Sequence, residues 1–513
     1  MNIETQTNNK RIAQNTILLY IRMIVITLIS LYTSRIVLRC LGVSDYGIFN
    51  VVGGVIGILN YINALLAGGT SRFLTVQLGV GNVVELKKTF STAFLLCLTA
   101  AFLIFLFGET IGLWFVNSQL NIDSSRMVAL NWVYQAALFT SALTVVQSPF
   151  SASVISHEKM NVYAIISIID AVIKLVLVTS LSFFGGDKLI IYSIMLLGIA
   201  IANAFMYQIY CRRCFEETTV SPRLYRDLIK DMFTYSGWNM IGAFAGVLTN
   251  YGVNIVLNIF FGTVVNAGRG VALQINGVVQ QFYTNFQLAS RPQIFKYYAQ
   301  GKNEEMFKLM RNNSKYSAML LLLILVPVAF NIDGLLSLWL GIVPEYTKVF
   351  VWLSLAYCFF CAIEAPMGFV MHAVGKMKLP NCVNSIMNLT VFPLSYISFK
   401  CGLSPYWGSV YTALVVLFSI GTDFWMLKKL TNGFSASLFI KDVLVPVIKI
   451  IIICCVLPVF LTRLAVGGII DTLLICMVDF LYVSIVVFYL GLSKQMRAKL
   501  INNIYQKCHI VRK

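Results

Sequence analysis

Charged residues are scarce in this chain: Asp, Glu, Lys and Arg make up 12% of its 513 residues, against roughly 25% in soluble domains. Long polar stretches are also missing, since the longest, near 211–232, is too short for a nucleotide-binding or catalytic domain. No G-x-x-x-x-G-K-[ST] motif occurs, which argues against ATP hydrolysis by this chain. These absences predict a protein that is not soluble and not an enzyme.

Clusters of metal-ligating residues are missing as well. The three His are dispersed at His157, His372 and His509, and most of the twelve Cys lie singly in apolar segments. Cys211 and Cys214 form one C-x-x-C pair without a second pair or a nearby His. Zinc and redox sites need such additional ligands, so we predict neither a metal nor a cofactor.

Apolar residues dominate instead, at 58% of the chain with a mean hydropathy of +0.80. They are grouped into runs of about 20 residues or more, the length that crosses a hydrocarbon core of ~30 Å. The first run follows the polar residues 1–13 and is too long for a cleavable signal. We predict an all-α polytopic membrane protein with about 14 transmembrane helices, near 14–39, 46–70, 89–115, 128–153, 161–184, 189–210, 234–260, 264–290, 315–340, 348–374, 380–400, 405–427, 439–462 and 466–491.

The net charge of +18 indicates topology. Most Lys and Arg fall in alternate connections, for example Lys87, Lys88, Arg212 and Arg213. Positive connections stay in the cytoplasm, so both termini are predicted there. The basic connections also suit anionic membrane lipids, and nucleic-acid binding is not needed to explain the charge.

An internal repeat divides the chain. Ile36-Val37-Leu38 recurs as residues 255–257 and Ser71-Arg72 recurs as residues 290–291, both at an offset of 219. An offset of six spans preserves orientation, so the halves are predicted to be parallel, pseudo-symmetric repeats, which commonly enclose a substrate path. We predict a six-helix bundle at 1–210, a cytoplasmic linker at 211–232, a second bundle at 233–430, and two extra helices with a basic tail at 431–513.

Six cations lie in or beside the apolar segments. A cation at mid-membrane is costly and usually faces a partner or a water-filled cavity. The eighth span carries a polar stripe that includes Arg269, Asn276 and Gln280, and the equivalent face of the second span begins at Asn50. Such a stripe must face protein or water, so it lines a cavity or joins neighbouring helices. The six cations are Arg22, Arg35, Lys174, Arg269, Arg291 and Lys449.

Carboxylates help to rank these cations. Asp170 and Lys174 are four residues apart on one helical face, so they form either a self-neutralising pair or an ion-coupling or substrate site. Glu364 has no cation nearby in sequence, so it either partners one of the arginines or carries a proton as a second candidate for ion coupling.

Other cations have simpler interpretations. Lys449 and Asp479 are interpreted as a structural pair, and Arg72 and Arg291 as cytoplasmic-end contacts to lipid headgroups. Arg35 remains undecided between the cavity and the far interface.

Several guanidinium groups around one cavity suit a phosphate-bearing substrate, because Arg binds phosphate bidentately and stays charged. The sequence therefore favours Arg22 and Arg269 as the anion-binding pair. The predicted substrate-binding residues are Arg22, Arg269, Arg35, Asn50, Asn276 and Gln280.

Residues 34–47, SRIVLRCLGVSDYG, resemble the S-R-x-x-x-R-x-L-G-x-x-x-Y-G segment of bacterial polysaccharide flippases. These proteins are lipid-linked oligosaccharide exporters of the MATE-like MOP superfamily. Residues 373–378, AVGKMK, are also similar to that family's pattern. With the spans and the repeat, the resemblance covers essentially the whole chain.

The resemblance implies two six-helix bundles that work by alternating access. The expected substrate is an undecaprenyl-diphosphate-linked oligosaccharide, moved from the cytoplasmic to the periplasmic leaflet for cell-surface polysaccharide (such as lipopolysaccharide) biosynthesis. H⁺ or Na⁺ as coupling ion and contacts with other polysaccharide-assembly proteins are further expectations. The two extra helices would contribute to a groove for the lipid tail.

Two alternatives remain. A MATE-type ion-coupled antiporter of drugs or metabolites shares the fold, but it predicts a cavity dominated by acidic residues. A membrane-embedded glycan polymerase or acyltransferase would need a large external loop or a catalytic His/Asp constellation, and neither is evident in the sequence.

Overall fold

Every regular element in the described part of the chain is a helix. The computed structural model describes residues 3–157, 159–219, 225, 228–229, 245–288, 290–376, 378–464, 468–492 and 497–498, with the side chains of 1–20, 59–69, Arg72 and some other single positions outside that description. By contacts between Cα atoms the chain divides into two compact units. Unit 1 is Met1–Gly270 with Asn388–Pro405, and unit 2 is Val271–Met387 with Tyr406–Lys513.

Most of the helices of the first part of the chain are longer than 20 residues, and shorter helices lie between them. Asn82 and Asp187 cap two of them, each accepting a hydrogen bond from a backbone N–H of the first helical turn. These helices are α1 (Ile3–Val80), α2 (Val83–Phe107), α3 (Leu113–Ser118), α4 (Met127–Ser156), α5 (Met160–Ser180), α6 (Lys188–Cys214) and α7 (Val253–Phe261).

The later helices have the same character. They are α8 (Thr263–Leu288), α9 (Arg291–Ala299), α10 (Asn303–Phe330), α11 (Ile332–Leu340), α12 (Thr347–Val374), α13 (Lys378–Lys400), α14 (Trp407–Leu430), α15 (Ala436–Phe439), α16 (Val445–Leu464) and α17 (Ile469–Val486).

Eleven helical segments of the described residues are long and apolar enough to cross a membrane, which confirms an all-α multi-pass membrane protein. They correspond to eleven of the predicted spans, with the second joined to the first in α1. The eighth forms α8, whose polar stripe lowers its hydropathy. Parts of the seventh span and of the predicted linker at 211–232 lie outside the described residues, and the predicted domain limits remain a prediction.

The break in α1 is a glycine in the left-handed region: Gly42 has φ 81° and ψ 171°. A glycine with nearly the same backbone angles, Gly262 at φ 76° and ψ −168°, separates α7 from α8. Only glycine adopts this conformation without strain. Two residues beyond Gly42 and one beyond Gly262, the hydroxyls of Ser44 and Thr263 lie 3.1 Å apart, and these positions are separated by the repeat offset of 219. The contact of Ser44 with Thr263 therefore joins positions that correspond in the sequence repeat, while Gly42 and Gly262 differ from that correspondence by one residue.

Small residues allow close packing beside this contact. A Cβ atom on Gly47 would lie 1.9 Å from the carbonyl oxygen of Thr263. The Asn254 amide donates to the carbonyl of Asn50 at 3.1 Å, and Asn266 donates to the carbonyl of Asn254 at 2.7 Å. Much of the 34–47 motif therefore forms a tightly packed helix crossing within unit 1.

A three-residue ion network lies near the same crossing. The Arg126 guanidinium donates from Nε to Asp45 at 2.9 Å and from Nη1 to Asp187 at 2.6 Å. Burial raises the pKa of Asp187, but hydrogen bonds from Arg126 and from the N–H groups of Ile190 and Leu189 outweigh it and hold that pKa below its usual value. The network ties α1 to the start of α4 and the start of α6.

In unit 1, α4 is central and packs on α1, α2 and α6, while α5 packs on α1 and α6. The core of unit 1 includes Val52, Ile104 and Tyr134, whose side chains are all at most 1% exposed. This arrangement brings faces of α1, α5 and α6 together.

In unit 2, α10 packs on α12, α16 and α17, and α12 packs on α14. The predicted ion pair between Lys449 and Asp479 does not form among the described residues, so that interpretation is wrong. Lys449 lies on an exposed face of α16, whereas Asp479 is fully buried and accepts a hydrogen bond from Asn331 at 2.9 Å.

Candidate functional site

Unit 1 contains a polar cavity of about 280 Å³ between α1, α5 and α6. Each helix contributes one face, because the lining positions recur at helical spacing. The spacing is three, four or one residue along α1 from Arg22 to Thr33, and four along α6 from Asn203 to Tyr207. The polar side chains in the lining are Arg22, Ser30, Thr33, Ser167, Asp170, Lys174, Asn203 and Tyr207. We call this space the Arg22 cavity.

Arg22 is held in place by an aromatic ring. Its guanidinium carbon lies 4.5 Å from the centre of the Tyr163 ring, and its Nη2 is 3.5 Å from the Tyr163 hydroxyl. A cation over a ring face is stabilised without losing its charge. Nε of Arg22 is buried and has no hydrogen-bond partner among the described residues. Arg22 therefore retains donor capacity inside the cavity.

Lys174 is the second cation of the Arg22 cavity, and it is not neutralised by Asp170. The Asp170 carboxylate accepts a hydrogen bond from the Asn203 amide at 3.0 Å. Within the described ranges, no ion pair joins Lys174 or Arg22 to a carboxylate. Asp170 and Lys174 therefore do not form the self-neutralising pair that was one of their two interpretations.

Three of the predicted site residues, Arg22, Asp170 and Lys174, thus share one cavity, but others in unit 1 lie elsewhere. Arg269 is only 4% exposed and does not line the Arg22 cavity. Asn50 packs at the helix crossing, where its amide donates to the carbonyl of Tyr46 at 2.7 Å. Arg35 is exposed. The structure does not bring Arg22 and Arg269 together in this cavity.

The predicted residues of unit 2 differ in their surroundings. Gln280 is exposed, and Asn276 is half-buried with its backbone carbonyl 3.8 Å from Cys358 Sγ. The Arg291 guanidinium lies near the rings of two phenylalanines, Phe295 and Phe369. The side chain of Arg72 lies outside the described residues.

The polar stripe of α8 partly joins helices. Asn266 bonds to Asn254 within unit 1, and Gln287 in unit 2 donates to the carbonyl of Ala362 at 2.8 Å. The second interpretation of the stripe, as polar contacts between neighbouring helices, therefore applies at both of its ends.

Glu364 of α12 has a neighbour that the sequence analysis did not include. Its carboxyl lies within hydrogen-bonding reach of the carboxyl of Asp423 on α14. The sequence feature that could have identified Asp423 is a carboxylate inside an apolar span. For Asn203 and Tyr207, the signal was their four-residue spacing in the sixth span.

Metal binding finds no support in the described ranges, where no group of three or more His, Cys, Asp and Glu is close enough to hold an ion. The Arg22 cavity instead offers two cations, an amide and hydroxyl donors. Such a set can bind an anionic oxygen-rich group by charge-assisted hydrogen bonds.

Comparison with solved structures gives the fold. An inward-facing multidrug resistance MATE family transporter of the MOP superfamily matches with a TM-score of 0.63 at 12% identity, covering 80% of this chain and 96% of that chain. The lipid II flippase MurJ in an inward closed conformation matches with a TM-score of 0.63 at 12% identity, covering 93% of this chain and 99% of that chain. A MOP superfamily transporter from Pyrococcus furiosus matches with a TM-score of 0.58 at 14% identity, covering 82% of this chain and 96% of that chain.

These similarities confirm the MATE-like fold, and at such low identity they show the fold alone. No match was found among curated proteins. A family model described as "Polysaccharide biosynthesis protein" matches residues 12–298, more than half of the chain. The chain is therefore a member of the polysaccharide biosynthesis protein family, built on the fold of the MOP superfamily flippases and transporters.

Proposed function

We propose that this protein is a flippase that moves an undecaprenyl-diphosphate-linked oligosaccharide from the cytoplasmic to the periplasmic leaflet of the bacterial inner membrane. The family and the fold support a lipid-linked flippase or transporter. The observation that carries the finer proposal is the Arg22 cavity, which places Arg22 and Lys174 within the apolar helices without a carboxylate ion pair among the described residues.

The proposed role of these cations is to hold the diphosphate. Arg22 presents a planar donor set and Lys174 a compact charge, a combination that suits two linked phosphates. The Tyr207 and Thr33 hydroxyls and the Asn203 amide line the cavity as donors for further oxygens, whereas the Ser167 hydroxyl already donates to the carbonyl of Tyr163 at 2.7 Å. No covalent step is involved, because a flippase only exchanges hydration for these contacts on one side of the membrane and reverses the exchange on the other.

The MATE-type antiporter remains the second candidate, since it shares the fold. A cationic drug would need a surplus of carboxylates, whereas Arg22 and Lys174 outnumber Asp170 among the lining residues of the cavity. The comparisons include a Pyrococcus furiosus transporter for which reverse polarity of the binding pocket suggests a different function. The charge of the Arg22 cavity accordingly favours an anionic substrate.

Binding and flipping are tested separately. Binding of undecaprenyl diphosphate to the purified protein should weaken by about 10- to 150-fold in Arg22→Gln or Lys174→Gln, because each charged hydrogen bond contributes about 1.5–3 kcal/mol. The matched control is Lys449→Gln, which removes an exposed membrane cation outside the cavity and should bind like wild type.

Flipping is followed in cells as the leaflet accessibility of lipid-linked oligosaccharide, with and without the gene. The wild type should expose the oligosaccharide on the periplasmic side, and the two cavity variants should retain it on the cytoplasmic side. Equal exposure in cells lacking the gene would overturn the flippase assignment, and transport of cationic drugs instead would favour the antiporter.

A further inference from the structure

Two carboxyl groups face each other inside unit 2. Glu364 lies on α12 and Asp423 on α14, two helices packed side by side, and their carboxyl groups are within hydrogen-bonding reach. Asp423 is only 1% exposed, whereas Glu364 is half-buried. Neither oxygen of Asp423 receives a hydrogen bond from a donor in the described part of the chain. A nearly sealed carboxyl therefore meets only another carboxyl.

This contact has a chemical requirement. An ionised carboxylate only accepts hydrogen bonds. Two carboxyl groups in contact can therefore form a hydrogen bond only if one of them is protonated. Like charges at close range also oppose ionisation of both groups. Among the described residues, the titratable groups that face Glu364 are Tyr283 of α8 and Cys361 of α12, and both are uncharged at pH 7. No cation forms an ion pair with either carboxyl among the described residues.

A metal cation fits this place less well than a proton. Hard cations take six or more oxygen ligands, and the backbone carbonyls beside Glu364 already accept side-chain hydrogen bonds. Pro366 removes the backbone donor that would bond the carbonyl of Ala362, and Gln287 donates to that oxygen at 2.8 Å. Ser314 likewise donates to the carbonyl of Ile363 at 2.8 Å. These backbone oxygens, next to Glu364, are not available to complete a cation shell.

We propose that Glu364 and Asp423 share one exchangeable proton and form the site at which proton movement drives the flippase. This proposal rests on the proposed function for its coupling role, but the proton site itself does not. Glu364 exchanges the proton with the surroundings because it is partly exposed, and Asp423 holds it in the sealed interior. Loss of the proton leaves two facing negative charges, which favours a conformation that separates or hydrates them. Proton binding is thereby linked to the conformation of unit 2.

Infrared difference spectroscopy of the purified full chain tests the proton site without any substrate. At neutral pH the wild type should show a protonated carboxyl signal that shifts on exchange into D₂O. Asp423→Asn and Glu364→Gln should each lose it, because the new amide N–H replaces the proton in the contact. The matched control is Asp479→Asn, which removes a buried carboxyl bonded to Asn331 and should keep the signal. Persistence in both pair variants, or loss in the control, would overturn the proton site.

Proteoliposome flux of lipid-linked oligosaccharide tests the coupling. An imposed pH gradient should stimulate the wild type, and Asp423→Asn should lose that stimulation while it binds undecaprenyl diphosphate like wild type. A wild type stimulated by Na⁺ but not by a pH gradient would overturn proton coupling and leave the flippase intact. A wild type that moves no lipid-linked oligosaccharide would overturn the proposed function, while the infrared result would stand by itself.

Discussion

Replacing Arg126 with Gln should measurably destabilise the folded protein. Its guanidinium contacts Asp45 and Asp187, and the three side chains are 28%, 18% and 27% exposed. Removing one partner from a fully buried ion pair costs about 3–5 kcal/mol, while exposed pairs contribute at most about 1 kcal/mol. This network is about a quarter exposed and has two carboxylates that would then face each other, so we expect a loss of about 2–3 kcal/mol in the free energy of unfolding.

The matched control is Lys348→Gln, which removes a cation from an ion pair with Asp333 whose side chains are 40% and 74% exposed. That change should cost less than about 1 kcal/mol. Both free energies can be measured by equilibrium unfolding in mixed micelles followed by circular dichroism. A cost for Arg126→Gln no larger than for Lys348→Gln would refute the argument that this network stabilises the helix crossing.

The contribution of Asp187 to the pH dependence of stability follows from its lowered pKa. Its contribution to stability is fully present above the unfolded-state pKa, near 3.9, and is lost as the pH falls through the lower folded-state value. The wild type should therefore lose stability below about pH 4, and Arg126→Gln should lose less over the same interval.

Two further predictions concern the same crossing. Gly47→Ala should lower the free energy of unfolding by at least about 1–3 kcal/mol, because its Cβ would lie 1.9 Å from the Thr263 carbonyl oxygen. The control is Gly53→Ala, whose Cβ would have no atom within 4 Å. In the same unfolding measurement this control should be neutral or slightly stabilising. A double variant with Ser44→Cys and Thr263→Cys in a cysteine-free background should form a disulfide under mild oxidation, seen as a mass loss of two hydrogens; failure to form it would contradict the 3.1 Å contact of the hydroxyls.

The membrane fold was predictable because its signals are local. Apolar length alone locates most spans, and the constant offset between residues 36 and 255 identifies the repeat. The polar α8 was also recognised, because a stripe at helical spacing is visible in one segment. What sequence could not give is the break at Gly42: a long apolar run predicts two spans but not the backbone angles that join them.

The candidate site was only partly predictable, because a cavity is formed by helices distant in sequence. Arg22 and Lys174 were recognised as cations in apolar segments, yet nothing in either segment indicates that they share a cavity. The interpretation that paired Lys449 with Asp479 used depth alone, and depth does not say which face of a helix a residue occupies. Asp423 was overlooked for a related reason: its meaning depends on Glu364, which lies on another helix.

The contact between Ser44 and Thr263 resembles an isologous interface within a single chain, since equivalent positions of two repeats meet each other. Such a contact must be self-complementary if both positions carry the same residue. A charged side chain would face its own charge, and a group that only donates or only accepts would face its own kind. A hydroxyl can do either, so the same chemistry serves both sides. Substitutions at these two positions should therefore be coupled, with the effect of each depending on the residue at the other.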